Sequence, residues 1–380
     1  MNLRHGHIAL LTMAFAAPLV ACSSGDEGTD SKTDPNDPAT KYGDMAKPCG
    51  PLNTGYRGDE NCILPPPEGK GFQFHYGPKD YSQEEMNKWL IGPGEEVTDC
   101  ILIDTPNDRD IYYNEYHARM RPGSHHMLLY VVPNDLPDSD KPQLACNEGL
   151  NQRNIFGAQT QILDVKRESD AEENFGLATK LPARQQGIMQ LHFFNTDTEH
   201  AMLKESWANL IYVEDESTVK QLADPIFFIG GVTMSVALNQ RQIIKGRADV
   251  PADADPQFRL LIGTGHYHAH TERFSAWTTI SGNRELLFED FDWHEPKLMK
   301  FDSVTTRNPS NRETKTYGGR SGAIYLKPGD SVDWECEVYN GDKQQPLTFG
   351  NEVYNKEMCN MFGLYAPSVG GPWYGFNLGN

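Results

Sequence analysis

The sequence predicts an all-β protein of two antiparallel β-sandwich domains. Short apolar runs rich in Val, Ile, Phe and Tyr recur along the chain and are separated by Gly- and Pro-containing turns. The chain is 380 residues long, too long for one small core and enough for two. Only one stretch, Tyr81–Leu90, reads as a helix, and a short one. The expected strands of the first half are Gly71–Tyr76, Cys100–Asp104, Ile111–Met120, His126–Val132, Ile188–Phe194 and Trp207–Val213. Those of the second half are Ile226–Phe228, Gln242–Ala248, Arg259–Gly263, Tyr267–Thr279, Glu285–Glu289, Ser321–Leu326, Ser331–Tyr339 and Glu357–Leu364.

Residues 1–22 have the pattern of an export signal, with Arg4 as the positive start and an apolar stretch from Ile8 to Leu19. That stretch is too short for a good membrane span. Leu19-Val20-Ala21-Cys22 has the form of a bacterial lipobox, so Cys22 is the expected lipidated residue. Ser23 behind it is not an inner-membrane retention residue, which favours the outer membrane. Residues 23–47 are polar, acidic and nearly free of bulky apolar side chains, as expected of a disordered tether. Formal charge is 34 − 53 = −19, and nucleic acid and anionic lipid are excluded as partners on that ground. Membrane contact is expected only through the lipid anchor, and the chain is expected to be a monomer. Six cysteines remain after Cys22 (Cys49, Cys62, Cys100, Cys146, Cys336 and Cys359), and an even count in an exported chain points to three disulfides.

The chemistry is carried by histidines. Arg121-Pro-Gly-Ser-His125-His126-Met127 sets two adjacent histidines after a Pro-Gly turn, at the start of an apolar run. Neighbouring side chains on a regular strand point to opposite faces. Both rings can reach one metal only if the backbone is irregular there. An isolated pair of this kind is more often one core and one surface histidine. Downstream, however, lie Gln190-Leu191-His192, then His266-Tyr-His268-Ala-His270, then Glu357-Met358-Cys359-Asn360. His192 sits in an apolar run with little solvent to use. His266, His268 and His270 are two apart and would share one face of a strand. Met358 on its own would be ordinary core packing, but imidazoles with one thioether point to copper rather than zinc. His75, His117, His200 and His294 lack a partner at ligand spacing and read as structural or exposed. No phosphate loop, GxSxG or HExxH motif is present.

In this order the motifs resemble the copper type II, ascorbate-dependent monooxygenases, the family of peptidylglycine α-hydroxylating and dopamine β-monooxygenase. The resemblance runs from about Cys49 to the end of the chain. It implies two tandem jelly-roll-like domains, here 48–216 and 217–380. It implies a first copper on His125, His126 and His192, and a second on His266, His268 and Met358, with His270 as an alternate ligand. It implies O2, a reductant such as ascorbate, and a small-molecule or peptide-like substrate hydroxylated at an activated C–H bond. Among the disulfide pairings it implies Cys336–Cys359 and Cys100–Cys146, which leaves Cys49–Cys62. Gln190 and Asn360 match polar pocket residues of the peptide-hydroxylating branch. Phe362 stands where the family has a tyrosine, Leu364 where it has a methionine, and Thr264 where an arginine clasps the peptide carboxylate. Loss of that bidentate contact argues against peptide amidation. Two other classes stay open: a non-catalytic copper-binding envelope lipoprotein, and a zinc-dependent hydrolase.

Overall fold

The structure is a computed structural model, and it describes residues 43–132, 153–167, 176–301, 304–307, 324–341 and 345–377. The signal segment, the lipidation site Cys22, nearly all of the tether, and Cys146 lie outside the described residues. What is described is all-β, with helix confined to single turns. The longest of these, Gln83–Met86 running into Asn87–Trp89, falls in the stretch expected to be helical and is capped by the Ser82 side chain.

The first half holds two large sheets. One contains, in order, Gly71–Tyr76, Ser206–Tyr212, Ile111–Met120, Ile162–Arg167 and Val304–Arg307, with Leu177–Leu181 and Gln221–Leu222 joined at the side. The other contains Glu96–Asp104, Gln186–Phe194, Ser124–Val132 and Arg153–Ala158. The second half repeats the arrangement. Met299–Lys300, Arg259–Tyr267, Cys359–Ala366, Asp224–Gly230 and Trp373–Asn377 form one sheet, and Gln240–Asp249, Ser331–Asn340, Thr271–Ile280 and Asn283–Asp290 the other. Two stretches beyond residue 216, Gln221–Leu222 and Val304–Arg307, pair with first-half strands.

Period-2 alternation divides the residues of each strand between faces. On Ser124–Val132, Met127 and Leu129 enter the first core with Met189, Leu191 and Phe193 of the neighbouring strand. Leu128 and Tyr130 point the other way and pack with Phe227 and Ile229 of the second half. His126 lies two residues before Leu128 and opposite His192, so both histidines belong to the face that meets the second half. There the alternate residues Thr264 and His266 pair with Phe362 and Asn360, and Tyr267 and Met361 fill the second core behind them. Each half therefore turns one sheet face, with its histidines, towards the other.

The disulfides Cys49–Cys62 and Cys336–Cys359 are formed, with Cα atoms 5.5 and 5.8 Å apart. Cys336–Cys359 ties the two second-half sheets together at the residue after Met358, where the Trp334 indole also donates to the Cys359 carbonyl at 2.8 Å.

His117 is buried and structural, not a ligand. Its Nδ1 lies 2.7 Å from Asp164 and its Nε2 2.8 Å from Glu115, while Arg119 forks onto Asp164 at 2.6 and 3.1 Å. Burial alone would lower the His117 pKa, but hydrogen bonds to the two carboxylates outweigh it and raise the value above 6.5. Burial would likewise raise the Asp164 pKa, but His117 and Arg119 hold it below 3.8. The histidine's contribution is full below its unfolded pKa of 6.5 and is lost as pH rises through the raised value. The aspartate's is full above 3.8 and is lost as pH falls through the depressed value. Asp164→Asn should therefore show its largest deficit in melting temperature between these limits, narrowing on either side. A deficit that stays constant from pH 3 to pH 9 would contradict this linkage.

Candidate metal centre

The approach to the double histidine is a tight turn. Ser124 N–H bonds the Arg121 carbonyl at 3.1 Å, with Pro122 and Gly123 at the centre and Gly123 at φ 95°. Proline at the first central position and a positive φ at the second describe a type II turn. A Cβ on Gly123 would lie 2.1 Å from the Met202 sulfur, so only glycine fits. Arg121 anchors the turn: its side chain is fully buried, Nε donates to Glu205 at 2.8 Å, and the guanidinium pairs with Asp59 at 2.9 Å. Beyond the turn the ladder slips. The register with Gln186–Phe194 shifts between Ser124 and His126 and leaves His125 unpaired. That irregularity is what adjacent histidines need in order to face the same way.

The structure brings five of the six expected ligand side chains into one imidazole cluster. Ring centroids of His125 lie 5.4, 5.2, 5.3 and 5.4 Å from those of His126, His192, His266 and His268. His126 and His266 are 5.1 Å apart, and His266 and His268 5.6 Å. Ligand atoms of His125, His126 and His266 all fall within 4.8 Å of one another. The two expected ligand sets, one from each half, touch in space, because both belong to the sheet faces that meet. Met358 is buried and lines a cavity with His126, His266, Gln190, Asn360 and Phe362, and its sulfur lies 3.5 Å from the Asn360 amide nitrogen.

The expected strand Tyr267–Thr279 is broken. The strand ends at Tyr267 and the next begins at Thr271, so His268 and His270 sit on the connection. Glu357 is the cause. Its fully buried carboxylate accepts from the backbone N–H of His268 at 2.5 Å, Met358 at 2.8 Å and His270 at 3.1 Å. Burial nonetheless pushes its pKa up to about 8. The clasp turns His268 into the cluster and His270 out of it, where the His270 ring lies 2.9 Å from the Tyr354 carbonyl.

Glu96, Gln159 and Glu357 are site residues that sequence reasoning missed. Glu96 Oε1 accepts from His192 Nε2 at 2.7 Å and from Val353 N–H at 2.7 Å, bridging the two halves. Gln159 Oε1 is 2.8 Å from His266 Nδ1, and Gln190 Oε1 is 3.3 Å from His126 Nε2. For Glu357 a signal existed, since it stands beside Met358; for Glu96 and Gln159 none did, because their contacts are long-range.

These outer contacts fix the rings and leave inner nitrogens free. Both nitrogens of His125, Nδ1 of His126 and His192, and Nε2 of His268 are buried without a hydrogen-bond partner. Five such atoms, at roughly 1–3 kcal/mol each, would cost about as much as the whole stability of a domain. Burial, then the neighbouring rings, push the pKa of His125, His126 and His266 well below 6.5 and that of His268 down to about 3. Neutral imidazoles with inward lone pairs are a donor set that fits a transition-metal ion.

No protein-family profile matches the chain, and no curated protein matches it. Among solved structures it is similar to recombinant N-glycanase F (PNGase F), with 9% identity and a TM-score of 0.34 over 79% of this chain and 96% of that one. It is also similar to the major capsid protein P2 from bacteriophage PM2, with 10% identity and a TM-score of 0.28 over 79% and 100%. At these scores neither likeness carries an argument about what this chain does.

Glu96→Gln keeps an acceptor for Val353 but weakens the charge-assisted hold on His192. Metal affinity should fall by about tenfold or more, at the low end of what outer-shell changes cost. A chelator-competition titration measures it, and an unchanged affinity would leave Glu96 a purely structural bridge.

Proposed function

We propose that this chain is a copper-dependent monooxygenase that hydroxylates an activated C–H bond of a small substrate with O2 and an external reductant such as ascorbate. The observation that carries the reading is the buried imidazole cluster with its inward nitrogens unpartnered and the Met358 thioether on the same cavity wall. The resemblance of the motifs to the copper type II monooxygenases supports it, and with it a jelly-roll-like form of each half. Bound copper would supply the one-electron chemistry by which R–H, O2, two electrons and two protons become R–OH and water.

The chain's own residues hold and orient. His125, His126 and His192 would hold one ion, and His266, His268 and Met358 the other. Glu96 keeps Nδ1 of His192 directed inward by occupying Nε2. Gln159 does the converse for His266 by occupying Nδ1. Glu357 fixes the backbone of both His268 and Met358. Burial keeps His125, His126, His266 and His268 deprotonated and available as ligands at neutral pH, and all five rings are shielded from solvent. Peptide amidation is not proposed, since Thr264 stands where a carboxylate-binding arginine would be needed.

A second reading, a zinc-dependent hydrolase, is favoured by one observation: the compact His125, His126 and His266 triad suits three-histidine zinc as well. Met358 separates the two. Met358→Leu conserves volume, at a cost below about 1.5 kcal/mol, and removes the sulfur. Copper-loaded wild type should hold two ions per chain and consume O2 with reductant. Met358→Leu should fold with a near-normal melting temperature and lose turnover, and His192→Ala should hold one ion. One copper in both wild type and His192→Ala, or full activity in Met358→Leu, would overturn the dicopper reading.

We further propose that the chain is a lipoprotein anchored through Cys22 in the cell envelope, on the outer membrane. The lipobox supports this, and no helix among the described residues is long and apolar enough to cross a membrane. Cells fed a fatty-acid analogue should label the wild type but not Cys22→Ser; label retained in the variant would refute the assignment.

A further inference from the structure

A row of aromatic rings leads from the imidazole cluster to solvent. The Trp293 ring lies on His125 with centroids 5.9 Å apart, and Tyr354 lies on Trp293 at 5.8 Å. Both spacings are those of packed aromatic pairs. His125 is buried, Trp293 is half-buried and Tyr354 is 38% exposed, so the row runs outward. Its outer end is held from three directions. Phe194 packs edge-on against the Tyr354 ring at 4.9 Å, the His270 ring lies 2.9 Å from the Tyr354 carbonyl, and the preceding amide, Val353 N–H, donates to Glu96 at 2.7 Å. His270, the histidine of its motif that stays out of the cluster, thus fixes the end of this row. Among the described residues one other ring packs on the cluster from outside, Phe362 on His266 at 5.2 Å, and it leads on to Phe227 at 4.9 Å.

We infer that Trp293 and Tyr354 form a relay that draws oxidising equivalents out of the proposed copper centre when no substrate is there to consume them. The inference rests on the monooxygenase reading and adds a protective side reaction to it. A reduced centre that meets O2 without substrate passes two electrons to it, and with two protons the product is hydrogen peroxide. Peroxide is then the oxidant: Cu(I) + H2O2 + Tyr–OH + H+ → Cu(II) + Tyr–O• + 2 H2O. The O–O bond breaks, and the copper and the phenol of Tyr354 each give one electron. Trp293 gives its electron first and is refilled from Tyr354, whose proton leaves to solvent. The external reductant then returns one electron and one proton to the tyrosyl radical. Three features support this. Indole and phenol are oxidised far more readily than a phenyl ring, so the row through Trp293 is open and the one through Phe362 is closed. Electron exchange falls off steeply with the gap between rings, and these rings are in contact. The order of the rings also fits their chemistry. An oxidised indole can keep its charge as a cation, as the inner position requires, whereas an oxidised phenol must shed a proton, and the exposed end has water to take it. Without such an outlet the oxidant is spent on what lies nearest, the ligand imidazoles and the Met358 thioether, which becomes a sulfoxide.

The copper-loaded full chain tests this after reduction with ascorbate and removal of the excess. It is mixed with hydrogen peroxide, frozen rapidly and read by electron paramagnetic resonance. Wild type should show Cu(II) together with a tyrosyl radical, recognised by the change in its lines when the tyrosines are ring-deuterated. In Tyr354→Phe and in Trp293→Phe the radical should fall at least tenfold while the Cu(II) signal remains. Both changes keep a ring at a position that solvent reaches, and copper content and melting temperature check that each variant is folded. Peptide mapping of the same samples should find Met358 and the ligand histidines oxidised severalfold more in the variants than in wild type. Cu(II) formed in wild type with no protein radical, a radical undiminished in either variant, or equal oxidation of Met358 in all three would overturn the relay. Copper content and hydroxylation are read separately. A chain that takes no copper refutes the relay and the oxygenase reading together. One that holds copper, hydroxylates nothing and forms the Tyr354 radical refutes the oxygenase reading while the relay stands.

Discussion

The constraint on which the site depends is that imidazoles buried between two sheets must each find a partner for both ring nitrogens. Water is excluded there, since His125, His126, His192, His266 and His268 are all at most 4% exposed. One nitrogen of most rings is met by an outer group: Glu96, Gln190, Gln159 or the Lys356 carbonyl. The inner nitrogens converge, and nothing in the protein meets those of His125, His126, His192 and His268. The local irregularities of the fold follow from bringing these rings together. The slipped register at His125, the Pro122-Gly123 turn before it and the Glu357 clasp at residues 268–270 each break a regular ladder to turn a histidine inward.

Because the rings come from both halves, binding of a metal at the proposed centre would be thermodynamically coupled to the packing of one half on the other. The same sheet faces supply the imidazoles at one end and the contacts of Leu128 and Tyr130 with Phe227 and Ile229 at the other. Glu96 reinforces the junction, since it holds a first-half histidine and a second-half backbone amide with one oxygen. Anything that loosens the apolar contact should loosen the metal, and an ion that satisfies the inner nitrogens should tighten the contact.

Much of this was legible in the sequence, for reasons that are local. Gly71–Tyr76 appears with the expected bounds because its alternation is uninterrupted; Ile111–Met120 does so although its core face changes phase between Tyr113 and Tyr116, where the register shifts. The need for irregular backbone at His125–His126 could be read from strand geometry alone, as could the burial of His192 from its apolar neighbours. What could not be read depends on distant partners. Nothing in the run Arg259 to Ile280 announces that a carboxylate nearly ninety residues later will break the strand at His268. The Arg153–Ala158 strand, which ends next to Gln159, has too short an apolar run to declare itself. The pairing of Val304–Arg307 with Ile162–Arg167 is invisible to any pattern with a period of two. For the same reason the closeness of the two candidate ligand sets is not legible in the sequence: motif order groups candidate ligands and says nothing of how the sheet faces meet.

The character of the donors also bears on which ion the site prefers. The candidate ligands are imidazoles and a thioether, none of them an anionic donor, and the carboxylates of Glu96 and Glu357 are spent on other tasks. Glu96 accepts from the outer nitrogen of His192, and Glu357 accepts from three backbone amides. An ion entering this centre would therefore keep its whole formal charge in a region that burial has made poorly polarisable. The cost of burying an ion rises steeply with its charge, so such a centre disfavours a dication relative to a monocation more than a carboxylate-bearing one would. Zinc has only the doubly charged state, whereas copper can meet the same donors singly charged, and sulfur adds to that preference. The neutrality of the donor set thus argues in the same direction as Met358, by electrostatics rather than by ligand softness, for an ion whose reduced form is the stable one.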